Sequence, residues 1–299
     1  MDYAIQKTER DARRKNGADM EQNAKNGQKK KGSGLFLCCL ILCAVIFAFS
    51  AYKLYEYWNE SRQREQYAQE LMENAVTVTP PVKEEALPEK ERPESPEEKI
   101  PLTPITVDFE LLAQQSEDIV GWIYSEGTPI NYPVAQAGNN DYYLRRLLDG
   151  TYNYGGTLFM DCRNAPDVSD WNTVIYGHSM QDDTMFGSVL DYKKQAYYDE
   201  HPVLWYFTPQ ASYRVELIGG YLTDAYSDVY ALPETAEERD EVASLVQRHS
   251  TFESGVTWEG DSRLLMLATC SYEADYSRYV LLGKLVPVEV FDAPAEDAE

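Results

Sequence analysis

The eighteen residues Leu35–Tyr52, LFLCCLILCAVIFAFSAY, carry no charged side chain. At ~1.5 Å per residue such a run forms a helix of ~27 Å, close to the thickness of a bilayer core. In hydrocarbon only a helix satisfies its own backbone amides, so the run has one viable conformation there. Lys29, Lys30 and Lys31 stand directly before it. By the positive-inside rule they place residues 1–34 in the cytoplasm and everything after Lys53 outside. A cleaved signal peptide is the competing reading, with small residues at Ala48 and Ser50 around a cut. The long basic lead and the uninterrupted apolar length favour a retained, single-pass anchor over 35–52.

Charge divides along the same line. The chain of 299 residues has a net charge of −23, yet residues 1–34 hold nine Lys or Arg against five Asp or Glu. The outer portion is therefore strongly acidic, which argues against nucleic acid as a partner. Of five cysteines, Cys38, Cys39 and Cys43 lie inside the apolar run and read as small apolar side chains. Cys162 and Cys270 remain. Outside the cell they are free to form a disulfide, but two cysteines in a domain this large are no disulfide framework. A structural bridge and a reactive thiol both stay open on these residues alone.

After the anchor, Lys53–Ala75 is rich in Glu, Gln, Arg and Tyr and reads as a helical stalk. Seven of the 15 prolines then fall in 76–104, interleaved with Glu and Lys. That composition builds no core and predicts an extended spacer holding the next domain off the membrane. Residues 53–104 are thus assigned to stalk and linker, 105–292 to a compact domain and 293–299 to an acidic tail. Within 105–292, short apolar runs occur at Trp122–Tyr124, Thr157–Met160, Thr173–Tyr176, Val203–Phe207, Tyr213–Leu222, Arg263–Ala268 and Tyr279–Val290. Gly, Pro, Asn and Asp bound them, which predicts a mainly β domain, a closed or nearly closed barrel, with peripheral helices. Helices are predicted over Phe109–Gln115, Asp141–Leu148 and Glu234–His249, the last with Val242, Leu245 and Val246 at helical spacing.

Three histidines exist, His178, His201 and His249. His178 ends the strand-like run TVIYGH, where an imidazole can exchange protons with a neighbouring strand's end. His201 precedes Pro202 and reads as a loop residue, and His249 suits the C-terminal end of a helix dipole. Cys270 ends another strand-like run, RLLMLATC. A thiol needs an imidazole nearby to become a thiolate at neutral pH. Arg278 opens the following run, RYVLLGKLV. If a hairpin joins the two runs, Arg278 returns beside Cys270 and can hold a substrate carbonyl or an oxyanion. The alternative for Arg278 is a surface charge paired with Glu273 or Asp275. No CxxC, HExxH, EF-hand, P-loop or dinucleotide pattern is present, so neither a metal nor a cofactor is expected.

Together these residues resemble the sortases, membrane-anchored cysteine transpeptidases of Gram-positive bacteria. LATC with Arg278 eight residues on is similar to the family's TLxTC…R signature, and YGH supplies the histidine. NYPVAQAGNNDYYL (131–144), GGTLFMDCRN (155–164), NTVIYGHSMQDDTMFGSVLDY (172–192) and HPVLWYFTP (201–209) resemble the class B branch in that order. The helix over 234–249 is also typical of that branch. The resemblance implies a sortase-type closed β-barrel preceded by one transmembrane helix. It implies a catalytic set of Cys270 as nucleophile, His178 as acid and base, and Arg278 as oxyanion or substrate stabiliser. Asn140 and Leu144, at the class B N-x-x-x-L positions, are expected to line the groove for the substrate, with Thr269 beside it. The implied partners are a sorting-signal peptide of a secreted surface protein and an amine nucleophile from peptidoglycan or a pilin lysine.

The family's first signature Thr is Met266 here, expected to point into the barrel, and Ala268 stands where class B members often carry Ser. Two readings compete with the transpeptidase. One is an extracellular cysteine peptidase that hydrolyses the same thioester. The other is a non-enzymatic anchored module with a Cys162–Cys270 disulfide.

Overall fold

A computed structural model describes residues 2–78, 103–270 and 276–288, with backbone alone at 2–19, 21–33 and 270. The Pro/Glu-rich heart of the predicted linker, the tail after Val288, and Glu273 and Asp275 lie outside the described residues. The chain divides into two units, residues 1–59 and 60–299.

The first unit is helical. Helix α1 runs Asp2–Ala75 and includes a stretch long and apolar enough to cross a membrane. Its apolar side chains are exposed, Leu35 at 70% and Phe47 at 77%. That burial deficit in water is what a bilayer would relieve. The feature fits a single-pass membrane protein.

The second unit is built on ten strands. β1 (Val76–Val78) pairs with β2 (Ile105–Val107) in a ladder of its own. Helix α2 (Phe109–Gln115) follows, capped by Asp108, whose carboxylate accepts the Leu111 amide. Then come β3 (Ile119–Tyr124), β4 (Asn131–Ala135), β5 (Leu158–Met160) and β6 (Asn172–Gly177). Helix α3 (Gln195–Glu200), β7 (Val203–Phe207), β8 (Ser212–Asp224), helix α4 (Ala236–His249), β9 (Arg263–Cys270) and β10 (Ser277–Val288) complete the order. Eight strands close a barrel in the sequence β10-β8-β7-β3-β4-β5-β6-β9, with β9 pairing back to β10. β4·β5 and β6·β9 are parallel; the other pairs are antiparallel. Closure leaves the barrel without an open strand edge.

Period-two alternation sorts each strand's side chains. Ile175, Leu265, Leu267, Tyr279 and Leu281 face the interior with Ile123, Val134 and Val215. The intervening Val174, Leu264, Met266, Ala268, Val280 and Leu282 face outward and are covered by Val242, Ala243 and Val246 of α4. Met266 therefore packs beneath α4 rather than inside the barrel, because it shares parity with Leu264 and Ala268. Helix α4 begins where Thr235 Oγ1 accepts the Glu238 amide, while the Glu238 carboxylate accepts the Glu234 amide.

Three sequence expectations change. Residues 141–148 hold only a single 3-10 turn, Tyr143–Arg145. The carbonyls of Tyr143, Arg145 and the amide of Leu147 bond to residues 157, 153 and 151, which replaces the i to i+4 ladder of a helix. β4 is a strand despite Pro133, which pairs opposite Trp122. Residues 60–78, assigned by composition to the stalk, pack on the barrel. Leu71 and Ala75 are each 5% exposed and join Trp122, Phe159 and Phe207 in one cluster. Since Val78 pairs with Ile105, the chain leaves and re-enters at one ladder, so the segment between them cannot space the barrel from residue 78.

Candidate active site

Three neighbouring strands end together. In the parallel pair β6·β9, Gly177 stands opposite Thr269, so His178 and Cys270 are the next residues along two adjacent strands. In the antiparallel pair β9·β10, Cys270 stands opposite Arg278. Adjacent strands lie ~4.8 Å apart, which puts the three backbones within about two strand spacings. The hairpin that the sequence left conditional is formed. A side chain at Gly177 would run into Leu158 and Phe186, so only glycine lets β6 approach this closely before His178.

A cavity of about 520 Å³ opens at this end, lined by His178, Arg278, Thr269, Leu144 and Asn140 together with Asp161, Arg163, Tyr176 and Tyr230. Every candidate residue with a described side chain faces it. His201 and His249 do not. The His201 Nδ1–H donates to the Glu126 carbonyl, and the His249 Nδ1–H to the Leu245 carbonyl at the end of α4. Cys162 is a free, exposed thiol, so the alternative Cys162–Cys270 disulfide is not formed.

His178 is half-buried. Its Nε2 lies 2.9 Å from the Leu144 carbonyl oxygen. A carbonyl only accepts, so Nε2 carries the proton and Nδ1 is the basic nitrogen of the neutral ring. Burial pushes the imidazole below its ordinary value, and Arg145, Arg64 and Arg278 add to that, against the Leu144 hydrogen bond. The ring of Tyr154 stacks on it at 6.2 Å and 18°. Leu144 was predicted as a substrate contact; its carbonyl has this second task, which side-chain reasoning from sequence did not reach.

Across the cavity, Asp161 is fully buried and accepts from Arg163 Nε and Nη2 at 2.9 and 2.8 Å and from the Tyr176 hydroxyl at 2.9 Å. Burial alone would raise this carboxyl, but Arg163 and Tyr176 outweigh it and hold it at about 2. Burial and the Asp161 charge push the Tyr176 hydroxyl up in turn. Asn140 Oδ1 accepts the Cys162 amide at 2.7 Å, tying the 139–141 segment to the loop after β5. Thr269 is 1% exposed and its hydroxyl has no hydrogen-bond partner in the protein. Among the described residues no cluster of His, Cys, Asp and Glu is arranged to hold a metal ion.

The sequence reading missed the last turns of α1. Ser61, Arg64, Leu71 and Ala75 are buried, with Tyr67, Ala68 and Met72 half-buried between them. Spacings of three and four residues were the available signal; the charged composition masked it.

No family model matches the chain. Sortase B of Listeria monocytogenes is 36% identical over 179 residues, covering 58% of this chain and 72% of the relative. Sortase B of Staphylococcus aureus is 28% identical over 252 residues, covering 83% and 95%. The solved S. aureus sortase B–substrate complex aligns with a TM-score of 0.58 at 31% identity, covering 60% of this chain and 85% of that one. The same enzyme complexed with triglycine aligns at 0.57 and 31%, covering 60% and 86%. With this barrel, this strand-end geometry and these relatives, the chain belongs to the sortase B family of cysteine transpeptidases.

Proposed function

We propose that this transpeptidase cleaves the C-terminal sorting signal of secreted surface proteins and joins the new carboxyl end to an amine. The observation that carries the reading is the register that sets Cys270 opposite Arg278 and one residue beyond the Gly177–Thr269 pair, at a cavity lined by His178. The Cys270 sulfur attacks the scissile carbonyl, and the C–N bond breaks as His178 gives a proton to the departing amine. The acceptor amine then attacks the thioester carbonyl, loses its proton to His178 and releases the thiol. Positive charge on Arg64, Arg145 and Arg278 around this strand end favours a thiolate and lets His178 stay neutral as base. Arg278 stabilises the oxyanion with its planar fork.

Asn140 and Leu144 line the peptide groove, and the unpartnered Thr269 hydroxyl bonds the bound peptide, relieving the cost of a buried orphan. The substrate and triglycine complexes of the S. aureus relative support a peptide donor and an amine acceptor. Here the acceptor is a peptidoglycan amine or a pilin lysine. The first half-reaction is peptidase-like and needs no cofactor. The enzyme is anchored through 35–52 with its N-terminus in the cytoplasm and its barrel outside, and nucleic acid has no part in its work.

The test uses the full chain in detergent micelles with sorting-signal peptides of NPxTx and xPxTG type and an amine acceptor. Intact-mass spectrometry should find a peptide adduct that passes to the amine and is absent in Cys270→Ala. An adduct resolved only by water across a panel of amines would replace this reading with a hydrolase. No adduct with any peptide would overturn acyl transfer.

A further inference from the structure

We propose that Arg64 is a positioning residue for His178, acting with Glu60 as a clamp on the two segments that flank the imidazole. The inference deepens the acyl-transfer reading and rests on it only for its kinetic consequence.

The first segment is the turn carrying Tyr154, whose ring stacks on His178. The Glu60 carboxylate accepts the Tyr154 amide at 3.0 Å, and the Glu60 carbonyl accepts Asn153 Nδ2 at 2.9 Å. The Arg64 guanidinium lies against Gly155, where any side chain would collide with it. Arg145 completes the turn from the other side, 4.1 Å over the Tyr154 ring, and donates to the Tyr154 carbonyl at 2.8 Å.

The second segment is the loop that leaves His178. Asp183 and Met185 adopt φ of 61° and 57° there, a conformation that costs free energy and persists only where neighbours impose it. Arg64 Nη2 donates to Thr184 Oγ1 at 2.9 Å and lies 3.6 Å from the Asp182 carboxylate. Ser61 Oγ donates to Asp182 at 2.8 Å. The loop then returns to the histidine, where the Phe186 amide donates to the His178 carbonyl at 2.9 Å.

One guanidinium, 4% exposed, thus touches both segments. Burying that charge is expensive unless its bonds are used, and here they fix the walls around one imidazole. Arg64 does not line the catalytic cavity, so it acts on His178 and not on the peptide. The charged groups around His178 are Arg64 on α1, Arg145 on the 3-10 turn and Arg278 on β10.

The test compares wild type, Arg64→Met, Arg64→Lys and Glu60→Ala as full chains in detergent. The chain has only three histidines, so nitrogen-15 histidine NMR resolves the His178 titration, assigned with His178→Gln. Measured in a Cys270→Ala background, the titration needs no turnover. Arg64→Met should raise the His178 midpoint and lower the acylation kcat about ten- to a hundredfold, with peptide KM within twofold. Arg64→Lys should restore the midpoint and only part of kcat, since a point charge does not reproduce the two-sided contact. Glu60→Ala, at a less buried position, should weaken the Tyr154 ring-current shift on His178. Unchanged titration and kcat in Arg64→Met would overturn the inference, as would full rescue by Lys. If Arg64→Met does not fold, an unmoved His178 signal in Glu60→Ala overturns the clamp. A wild-type chain that takes no peptide would sink acyl transfer, while the titration would still decide the role of Arg64.

Discussion

Cys270 and Arg278 stand opposite each other on one hairpin, eight residues apart, whereas His178 is held by partners far away in the chain. Its Nε2–H reaches a carbonyl 34 residues distant, and Arg64 braces its exit loop across 120 residues. Hairpin register fixes the first side of the cavity locally. The second side exists only when several remote segments have already packed. A perturbation far from the chemistry can therefore tune the histidine side while leaving the hairpin side intact.

The sharpest way to break this contrast is at the hairpin. Cys270→Ala should abolish peptide acylation, a loss of at least about 10⁴-fold by intact mass. A surviving adduct would move the nucleophile elsewhere. Arg278→Lys should lower kcat by roughly 10²–10³-fold, because an ammonium lacks the planar fork. Near-normal turnover would remove the oxyanion role and leave the hairpin side with one functional residue.

Smaller effects probe the remote packing. Leu71→Ala should cost about 2–4 kcal/mol, lowering Tm by roughly 5–15 °C in calorimetry. An unmoved Tm would mean that residues 60–78 are not part of the cooperative unit. The smallest effect concerns Asp161, held at about 2 against an ordinary 3.8. Its depressed value contributes stability above 3.8 that is lost as pH falls toward 2, a difference of ~2 kcal/mol. Asp161→Asn should flatten the acid limb of a denaturant-midpoint profile over that window. A limb as steep as that of wild type would assign the acid sensitivity to other carboxylates.

Much of this was legible beforehand for identifiable reasons. The uncharged run at 35–52 could only be helix in an apolar medium. Helix Phe109–Gln115 and most barrel strands followed from short apolar runs between turn residues. The Cys270–Arg278 pairing followed from two runs joined by a short turn. Residues 141–148 misled because their helical pattern is overridden by backbone bonds to 151–157. Met266 misled because its facing depends on which strand surface α4 covers.

The sequence by itself determined what is local: an apolar helix, alternating strands, a cysteine and an arginine brought together by a turn. Tertiary structure alone decided the closure order of the barrel, the docking of residues 60–78 and the partners of His178. Those depend on contacts across more than a hundred residues, whose free energy is realised only when both sides of each contact are already folded.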